Sequence, residues 1–467
     1  MRRRRRLAPL LVVAAWGGLL AGPATLVAAP SEADRRWLVG AGAFADGLYE
    51  LAYRELGRFG EVAATDPRRG DAALLRGKAA FALGRYPEAL AEFDVAETHA
   101  LTAATPGEPI FWQGEALFRL RRFEEARDRY ARFLALRPAS PYVPEALYAR
   151  GAAELELGHP DQALSAFLEL LRGYPTHERA AVAGYSAARE LIRTKRWEEA
   201  LPILTSYATR YPTSPYLAET RYLLGVAQLE TGRAEGVRTL EQFVAQNPGH
   251  ELAPTARSLI AEKQAAAGRL REALEQYQAL VRTAPAHALV PRALYRIGEL
   301  ALQLGRPTEA EAAWTALRRD YPQDERAGAA GLATAELHVR RKQWEQAFGV
   351  AQAVAERNGP ERLEALLIAG QSALQLRRNA EAARAYHTVV AEAEASSPQR
   401  FRGLAGLGLA SEVLKDRDAA RLAYREIVQG AQDAELVRWA KGRLEALEVR
   451  EAPPRARPQP RPRRSAS

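Results

Sequence analysis

Few side chains in this sequence are arranged for catalysis or for metal binding. The chain contains no Cys, which excludes disulfides, thiolate metal sites, a Cys nucleophile and a lipid-modified N-terminal Cys. Neither a GxSxG motif nor a P-loop is present, and the string GLAGLG at 403–408 has the wrong glycine order for dinucleotide binding. The seven His residues are scattered, with no pair at a metal-ligand spacing. We therefore predict that the chain is not an enzyme and binds neither a metal nor a cofactor.

One set of side chains is spaced so that it could form a binding surface, and its members are aromatic. We call this set the aromatic ladder; it comprises Phe111, Tyr148, Tyr185, Tyr222 and Tyr295. The first four members lie 37 residues apart, and Ser258 interrupts the series before the fifth. Phenol rings combine apolar area with a hydrogen-bonding tip, which suits an extended peptide. Packing between neighbouring structural units is the alternative interpretation, and the sequence leaves both open.

The ladder belongs to a longer repeat, whose clearest marker is a small residue with a turn before it. In most units an aromatic residue stands four positions later, as in GRYPEALAEF at 84–93. A Pro follows the small residue by twelve positions in six units, and a Gly precedes it by twelve positions in seven. The small residues, spaced 35 to 38 positions apart, are Ala52, Ala89, Ala126, Ala163, Ala200, Gly236, Ala273, Ala310, Ala347, Ala382 and Ala420.

Each unit is predicted to fold as a helical hairpin. Two runs of about 14 residues carry apolar side chains at a period near 3.6. A short turn between them holds a Gly in five units, at Gly84, Gly158, Gly232, Gly268 and Gly305. The small residue fits where the two helices cross closely, and Pro stops the second helix. No alternating strand pattern competes, so we predict an all-α chain.

The repeat resembles the tetratricopeptide repeat (TPR), with Gly at position 8, Ala at 20, an aromatic at 24 and Pro at 32. The resemblance covers residues 34–432, about eleven units, although the period is longer than the usual 34 residues. It implies a solenoid of helix-turn-helix repeats that forms a right-handed superhelix. It also places the ladder at position 5 of the first helix, which usually faces the concave groove. Links such as RPASPYVPEALY at 137–148 are similar to those of the BamD and YbgF/CpoB types of envelope TPR protein.

The two ends of the chain differ from the repeats. Residues 1–29 carry five Arg, an uncharged stretch and then small residues, which is typical of an export signal; an N-terminal membrane anchor is the alternative. Residues 433–450 are predicted to form a capping helix over the last repeat. The Pro- and Arg-rich tail at 451–467 is predicted to be disordered. Weak contact with an anionic membrane or polymer is one interpretation of its charge, and solubility is the other.

The charge distribution argues against nucleic acid as a partner. The formal net charge is +9, but the five Arg at each end account for all of the excess and leave the body close to neutral. We expect an exported scaffold, in the periplasm or on the periplasmic side of a bacterial membrane, whose partners are other envelope proteins or extended peptide segments. A non-catalytic partner of an envelope enzyme that binds peptidoglycan or polysaccharide is the alternative. Trp residues lined up along the groove would favour it, and the sequence does not space them so.

Overall fold

The computed structural model describes residues 29–99, 107–136 and 139–449. Within them all regular secondary structure is helical, in 23 α-helices that alternate as the first and second helices of eleven repeats, with one helix after the last. This confirms the predicted all-α repeat architecture. The export segment up to residue 28 and the tail at 451–467 lie outside the described residues. None of the described helices is long and apolar enough to span a membrane.

The chain divides into two compact units, with the boundary after Thr194. Within each unit, consecutive helices pack side by side. The helices of unit 1 are α1 (Glu32–Ala45), α2 (Tyr49–Val62), α3 (Arg69–Ala82), α4 (Tyr86–Thr98), α5 (Glu108–Arg119), α6 (Phe123–Ala135), α7 (Val143–Glu156), α8 (Pro160–Gly173) and α9 (Glu178–Arg193).

Unit 2 holds the remaining helices. They are α10 (Trp197–Arg210), α11 (Leu217–Glu230), α12 (Glu235–Gln246), α13 (Ala253–Ala266), α14 (Leu270–Thr283), α15 (Val290–Gln303), α16 (Pro307–Asp320), α17 (Arg326–Arg340), α18 (Trp344–Ala355), α19 (Arg362–Gln375), α20 (Asn379–Glu392), α21 (Pro398–Val413), α22 (Arg417–Gly430) and α23 (Ala434–Val449). The last of these, α23, packs on α22 and buries Ala440 and Leu447 against the final repeat, as expected of a capping helix.

In most of the repeats that have it, the Gly on the first helix is explained by an aromatic residue on the second. A Cβ placed at Gly151 would lie 2.5 Å from Cε1 of Phe167, and one at Gly298 would lie 2.1 Å from Nε1 of Trp314. Only a residue without a side chain leaves room for a ring at this crossing. The same close contact between a Gly and a Phe or Tyr ring recurs at Gly77, Gly114, Gly370 and Gly408. Gly408 is the final glycine of the GLAGLG string, and it packs against Tyr424.

The small residue of the repeat is fully buried, as predicted. The ten Ala residues at this position, Ala52, Ala89, Ala126, Ala163, Ala200, Ala273, Ala310, Ala347, Ala382 and Ala420, have no exposed surface. In the remaining unit, the sixth along the chain, a Cβ at Gly236 would lie 2.9 Å from the backbone oxygen of Gly225. The two helices of the hairpin cross at this point, and a larger side chain would push them apart.

The turns and links follow the sequence markers closely. The five predicted turn glycines have φ angles between 71° and 76°, in the left-handed region. Gly47 adopts the same conformation in the first hairpin, and in the other five hairpin turns a basic residue does so, at Arg121, Lys195, Lys342, Arg377 and Lys415. Second helices end two residues before the repeat Pro, as at Arg210 before Pro212. A Ser, His or Asp two residues after that Pro then caps the next turn; for example, the Ser214 hydroxyl accepts a hydrogen bond from the N–H of Tyr216 at 3.2 Å.

Candidate partner-binding site

The aromatic ladder does not form one exposed row of rings. Phe111 on α5 is only 4% exposed. Its ring stacks on Tyr142 at 4.7 Å between centroids and lies 5.7 Å from Phe133. Because Tyr142 belongs to the following repeat, Phe111 packs between two neighbouring repeats.

Tyr148 on α7, the next residue of the ladder, is half-buried. Its ring centroid lies 5.7 Å from that of Phe167 on α8, and the Arg179 guanidinium lies 5.6 Å from it. Tyr185 on α9 is also half-buried, with the Arg189 guanidinium 5.5 Å from its ring. Each of these rings is therefore partly packed and partly accessible.

The ladder residues of unit 2 are Tyr222 and Tyr295. Each packs against an aromatic residue on the second helix of its own repeat. The ring of Tyr222 lies 5.7 Å from that of Phe243, and burial raises the pKa of its phenol. The backbone oxygen of Tyr295 accepts a hydrogen bond from Trp314 Nε1 at 3.3 Å. Burial, followed by the negative charge of Glu299, raises the pKa of the Tyr295 phenol. Each half-buried ladder residue is thus partly packed against the protein and partly accessible to solvent.

Phe111 and Tyr148 meet at a cavity of about 300 Å³ in unit 1, which we call the aromatic pocket. It lies among α5, α7 and the start of α9. Its walls also contain Trp112, Phe118 and Tyr142, and its polar groups are Glu115, Arg119, Glu145 and Arg179; Ala149 and Ala152 complete the lining. Apolar walls with a few convergent polar groups are typical of a binding pocket.

One wall of the pocket is held in place by a partly buried ion pair. Lys78 on α3 pairs with Glu108 on α5, and the indole N–H of Trp112 donates to the same carboxylate at 3.4 Å. The Lys78 ammonium also lies 5.4 Å from the Trp112 ring. Burial, assisted by the charge of Glu108, raises the pKa of Tyr142 to about 12. These contacts fix the positions of the rings before any ligand arrives.

The carboxylate of Glu115 lies deeper in the same pocket. It accepts a hydrogen bond from the Tyr130 hydroxyl at 2.8 Å. Burial raises the pKa of the Glu115 carboxyl, although this hydrogen bond and the nearby Arg119 and Arg179 act in the opposite direction. Burial and the neighbouring Glu115 charge raise the pKa of Tyr130 in turn. The pocket therefore holds an acid whose charged form is poorly solvated.

Glu145 on α7 supplies an acceptor that the described protein leaves unused. Its Oε1 atom lies 3.3 Å from Nε2 of His177, whereas its Oε2 atom is buried and has no hydrogen-bond partner among the described residues. The Nδ1 atom of His177 accepts a hydrogen bond from the N–H of Arg179 at 3.2 Å. A neutral His177 must then carry its proton on Nε2, the ring nitrogen that lies 3.3 Å from Glu145 Oε1.

Sequence reasoning found two residues of the pocket and missed the rest. The missed residues on α5 follow Phe111 at helical spacing, because Trp112, Glu115 and Phe118 lie one, four and seven positions after it. That spacing was a usable indication of a shared face. Tyr142 and Arg179 had no such indication, because they reach the pocket only through the packing of α7 and α9. Within the described residues, no cluster of three or more His, Asp or Glu could hold a metal ion.

Repeated helical hairpins whose first helices line a pocket define an α-solenoid, a class in which stacked repeats present an extended surface to other proteins. The chain belongs to the tetratricopeptide repeat family, whose model matches residues 43–109, 113–178, 259–325, 295–362, 332–393 and 367–435. Such repeats serve as scaffolds for protein–protein interaction. A search of curated proteins returned no match.

Several solved structures are similar to parts of the chain. The MamA protein is 18% identical and has a TM-score of 0.34, and the match covers 39% of this chain and 92% of MamA. YrrB, described as a TPR protein with an unusual peptide-binding site, is 17% identical with a TM-score of 0.35, over 42% and 96% of the two chains. Pseudomonas aeruginosa pilF is 17% identical with a TM-score of 0.35, over 47% and 94%.

Proposed function

We propose that this chain is an exported scaffold that holds other proteins of the bacterial cell envelope, and that its aromatic pocket binds an extended segment of a partner. The observation that carries the proposal is the pocket itself. It combines five aromatic side chains with a buried carboxylate oxygen that lacks a donor. Apolar walls of this kind take up an apolar side chain, and the convergent polar groups fix its orientation.

An extended peptide fits both parts of the pocket. One apolar side chain can enter the space between the rings, whose volume of about 300 Å³ accommodates one or two side chains. Arg119 and Arg179, which line the pocket, can pair with an acidic residue beside the anchor. The walls are already packed, so little ordering is required of the scaffold on binding.

A protein partner is favoured over a glycan by the surroundings of Trp112. A sugar-binding Trp needs an open face on which the sugar ring stacks. Here the indole stacks on Phe93 with 6.1 Å between centroids, and the Lys78 ammonium lies 5.4 Å from its centroid. Phe81 and Tyr142 approach its edges at 5.4 and 5.8 Å. These contacts occupy the surface that a glycan would need.

The envelope part of the proposal is supported by the sequence. Arg2 to Arg6 followed by an uncharged stretch to residue 29 is the pattern of an export signal or an anchor, and either one exports the repeats. The links between repeats are similar to those of the BamD and YbgF/CpoB types. Outer-membrane assembly, division, secretion and motility would each use such a scaffold. We expect the basic tail to add weak, salt-dependent contact with anionic lipid or polymer.

The pocket can be tested by filling it without removing any of its rings. Ala149→Trp should place an indole in the pocket and abolish the capture of partners from native envelope extracts. Ala333→Trp is the matched control, because Ala333 is half-buried at the equivalent position of a first helix in unit 2. Partners that still co-purify at the same level with Ala149→Trp, at an unchanged melting temperature, would disprove binding in the pocket.

Export can be tested separately. A reporter that is active only outside the cytoplasm, fused after Val449, should be active with the native N-terminus and inactive after Arg2 to Arg6 and the uncharged stretch are deleted. Equal activity of both fusions, or none in either, would refute the envelope location and leave the pocket hypothesis intact.

A further inference from the structure

The first described helix, α1, has a face that no other described residue covers and that most later repeats bury. In the later repeats, the residue two positions after the repeat Gly packs against the preceding repeat. Ala79 clusters with Leu56 and Phe59 of α2, and Ala116 clusters with Phe93 of α4. The equivalent residue of α1 is Gly42, which is exposed, and a Cβ placed there would meet no atom within 4 Å.

The bare face of α1 is an apolar stripe. Leu38 is 64% exposed and Val39 is 49% exposed, and both lie beside Gly42 on the helix surface. On the opposite face, Ala43 is buried and a Cβ at Gly40 would lie 2.7 Å from Leu56. Among the described residues, the helix is therefore packed on one side and uncovered on the other. At the other end of the chain, α23 covers the last repeat.

Two charged residues of opposite sign mark the ends of this stripe. Arg35 stands seven residues before Gly42, and Asp46 follows the helix as its C-cap. Both are exposed, and neither makes an ion pair within 4 Å in the described part of the chain. Arg36, by contrast, pairs with Glu55 of α2 at 2.6 Å. The two end charges are thus available to a partner.

The stripe is close to symmetric about its own midpoint. Reversing the helix about a point between residues 40 and 41 exchanges Arg35 with Asp46 and Val39 with Gly42. Two antiparallel copies would therefore place opposite charges together at both ends. Each Val39 would lie against the other copy's Gly42, where the missing side chain allows the helices to approach closely. An isologous two-fold contact requires this kind of self-complementary surface.

We propose that α1 is a self-association surface, on which two copies of this chain pair antiparallel about a two-fold axis near residues 40 and 41. Burial of Leu38 and Val39 stabilises the pair, and the Arg35–Asp46 contacts set its register. A lipid surface would use the apolar residues but has no need of an acidic group at one end. The inference is independent of the aromatic pocket and of export.

The absence of Cys from the chain allows a direct test of the contact. A single Val39→Cys substitution in the full chain places a thiol close to the two-fold axis and leaves Gly42 unchanged, so mild oxidation should produce a disulfide-linked dimer. Leu422→Cys is the matched control, because Leu422 is 69% exposed on α22 and away from the stripe. Dimer formation to the same extent by both variants would overturn the proposal.

A charge exchange tests the register. Arg35→Glu alone and Asp46→Arg alone should each weaken self-association of the full chain about tenfold, because two ion pairs are replaced by like-charge contacts. An equimolar mixture of the two variants should recover the wild-type dissociation constant, since the carboxylate introduced in one variant then faces the guanidinium introduced in the other. Sedimentation measures the dissociation constants of the wild type, the single variants and their mixture. Mild detergent is included to prevent association through residues 7–29. The proposal would be refuted if the wild-type chain were monomeric at tens of micromolar, or if the mixture did not recover the wild-type dissociation constant. Binding of the stripe to vesicles would not rescue it.

Discussion

Replacing Gly298 by Ala tests the physical basis of the repeat at the position where its packing is tightest. Gly298 lies in the middle of α15, where Ala is ordinarily the better helix former by about 1 kcal/mol. Propensity alone therefore predicts that Gly298→Ala stabilises the protein. The structure predicts the opposite result, because the new methyl group would lie 2.1 Å from Nε1 of Trp314.

The magnitude follows from what Trp314 must do to make room. Its side chain is only 2% exposed, and its indole N–H donates to the backbone oxygen of Tyr295 at 3.3 Å. Moving the ring costs about 1–3 kcal/mol as overpacking. Loss of the hydrogen bond adds about 0.5–1.5 kcal/mol. After subtraction of the helix-propensity gain, Gly298→Ala should lower the free energy of unfolding by about 1–3 kcal/mol.

Urea unfolding followed by circular dichroism measures this change, and Gly349→Ala is the matched control. Gly349 also lies inside a helix of unit 2, α18, but a Cβ there would meet no atom within 4 Å. The control should be stabilised by up to about 1 kcal/mol. A repeat array can lose cooperativity. Amide exchange of α15 and α16 therefore gives a local measure of the same effect.

The reasoning would be refuted if Gly298→Ala were as stabilising as Gly349→Ala. A double-mutant cycle adds a second check. Trp314→Leu costs stability by itself, but in its presence the methyl group at position 298 should be tolerated. The double variant should therefore be more stable than the sum of the two single changes predicts. Strict additivity would mean that the methyl group and the indole do not compete for space.

Three further predictions concern the repeat, the ladder and the pocket. Ala163→Leu should lower the free energy of unfolding by about 1–3 kcal/mol, because this residue has no exposed surface at the helix crossing. Replacing Tyr148, Tyr185 and Tyr222 together by Ala should lower the melting temperature, at about 2 kcal/mol per half-buried ring. Glu115 binds its proton more tightly when folded than when unfolded, so its contribution to stability is favourable below its ordinary pKa of 4.5 and is lost as the pH rises through the higher folded value. Glu115→Gln should therefore become more stable relative to the wild type as the pH is raised to 7.

Each of the three has its own control. Ala91→Leu, at an exposed position of the second helix α4, should change stability little, and equal losses at positions 91 and 163 would show that the assigned repeat register is wrong. For the ladder, an unchanged melting temperature with lost partner binding would place the three rings on the working surface. For Glu115, parallel pH–stability curves of the wild type and the Gln variant would contradict the burial argument.

Much of the fold followed from the sequence because each marker has a local cause. Gly84 and the other turn glycines adopt the left-handed conformation predicted for them, and Pro212 follows the end of its helix by two residues. Ala163 and its equivalents are buried at the crossing. A helix carries its own 3.6-residue period, so the side chains that face its partner can be recognised without knowledge of the rest of the chain.

The environment of the ladder was decided only by tertiary structure. Its spacing identified Phe111 and Tyr148 as equivalent residues, but Phe111 is buried under Tyr142 whereas Tyr148 remains half-exposed at the pocket. The pocket itself needs α5, α7 and α9 together, and Arg179 reaches it from 68 residues beyond Phe111. Periodicity within one helix reports which face is apolar. The rotation of successive hairpins against each other decides which neighbour covers that face. It also decides where the face stays uncovered, as at Val39. No local sequence pattern encodes this rotation.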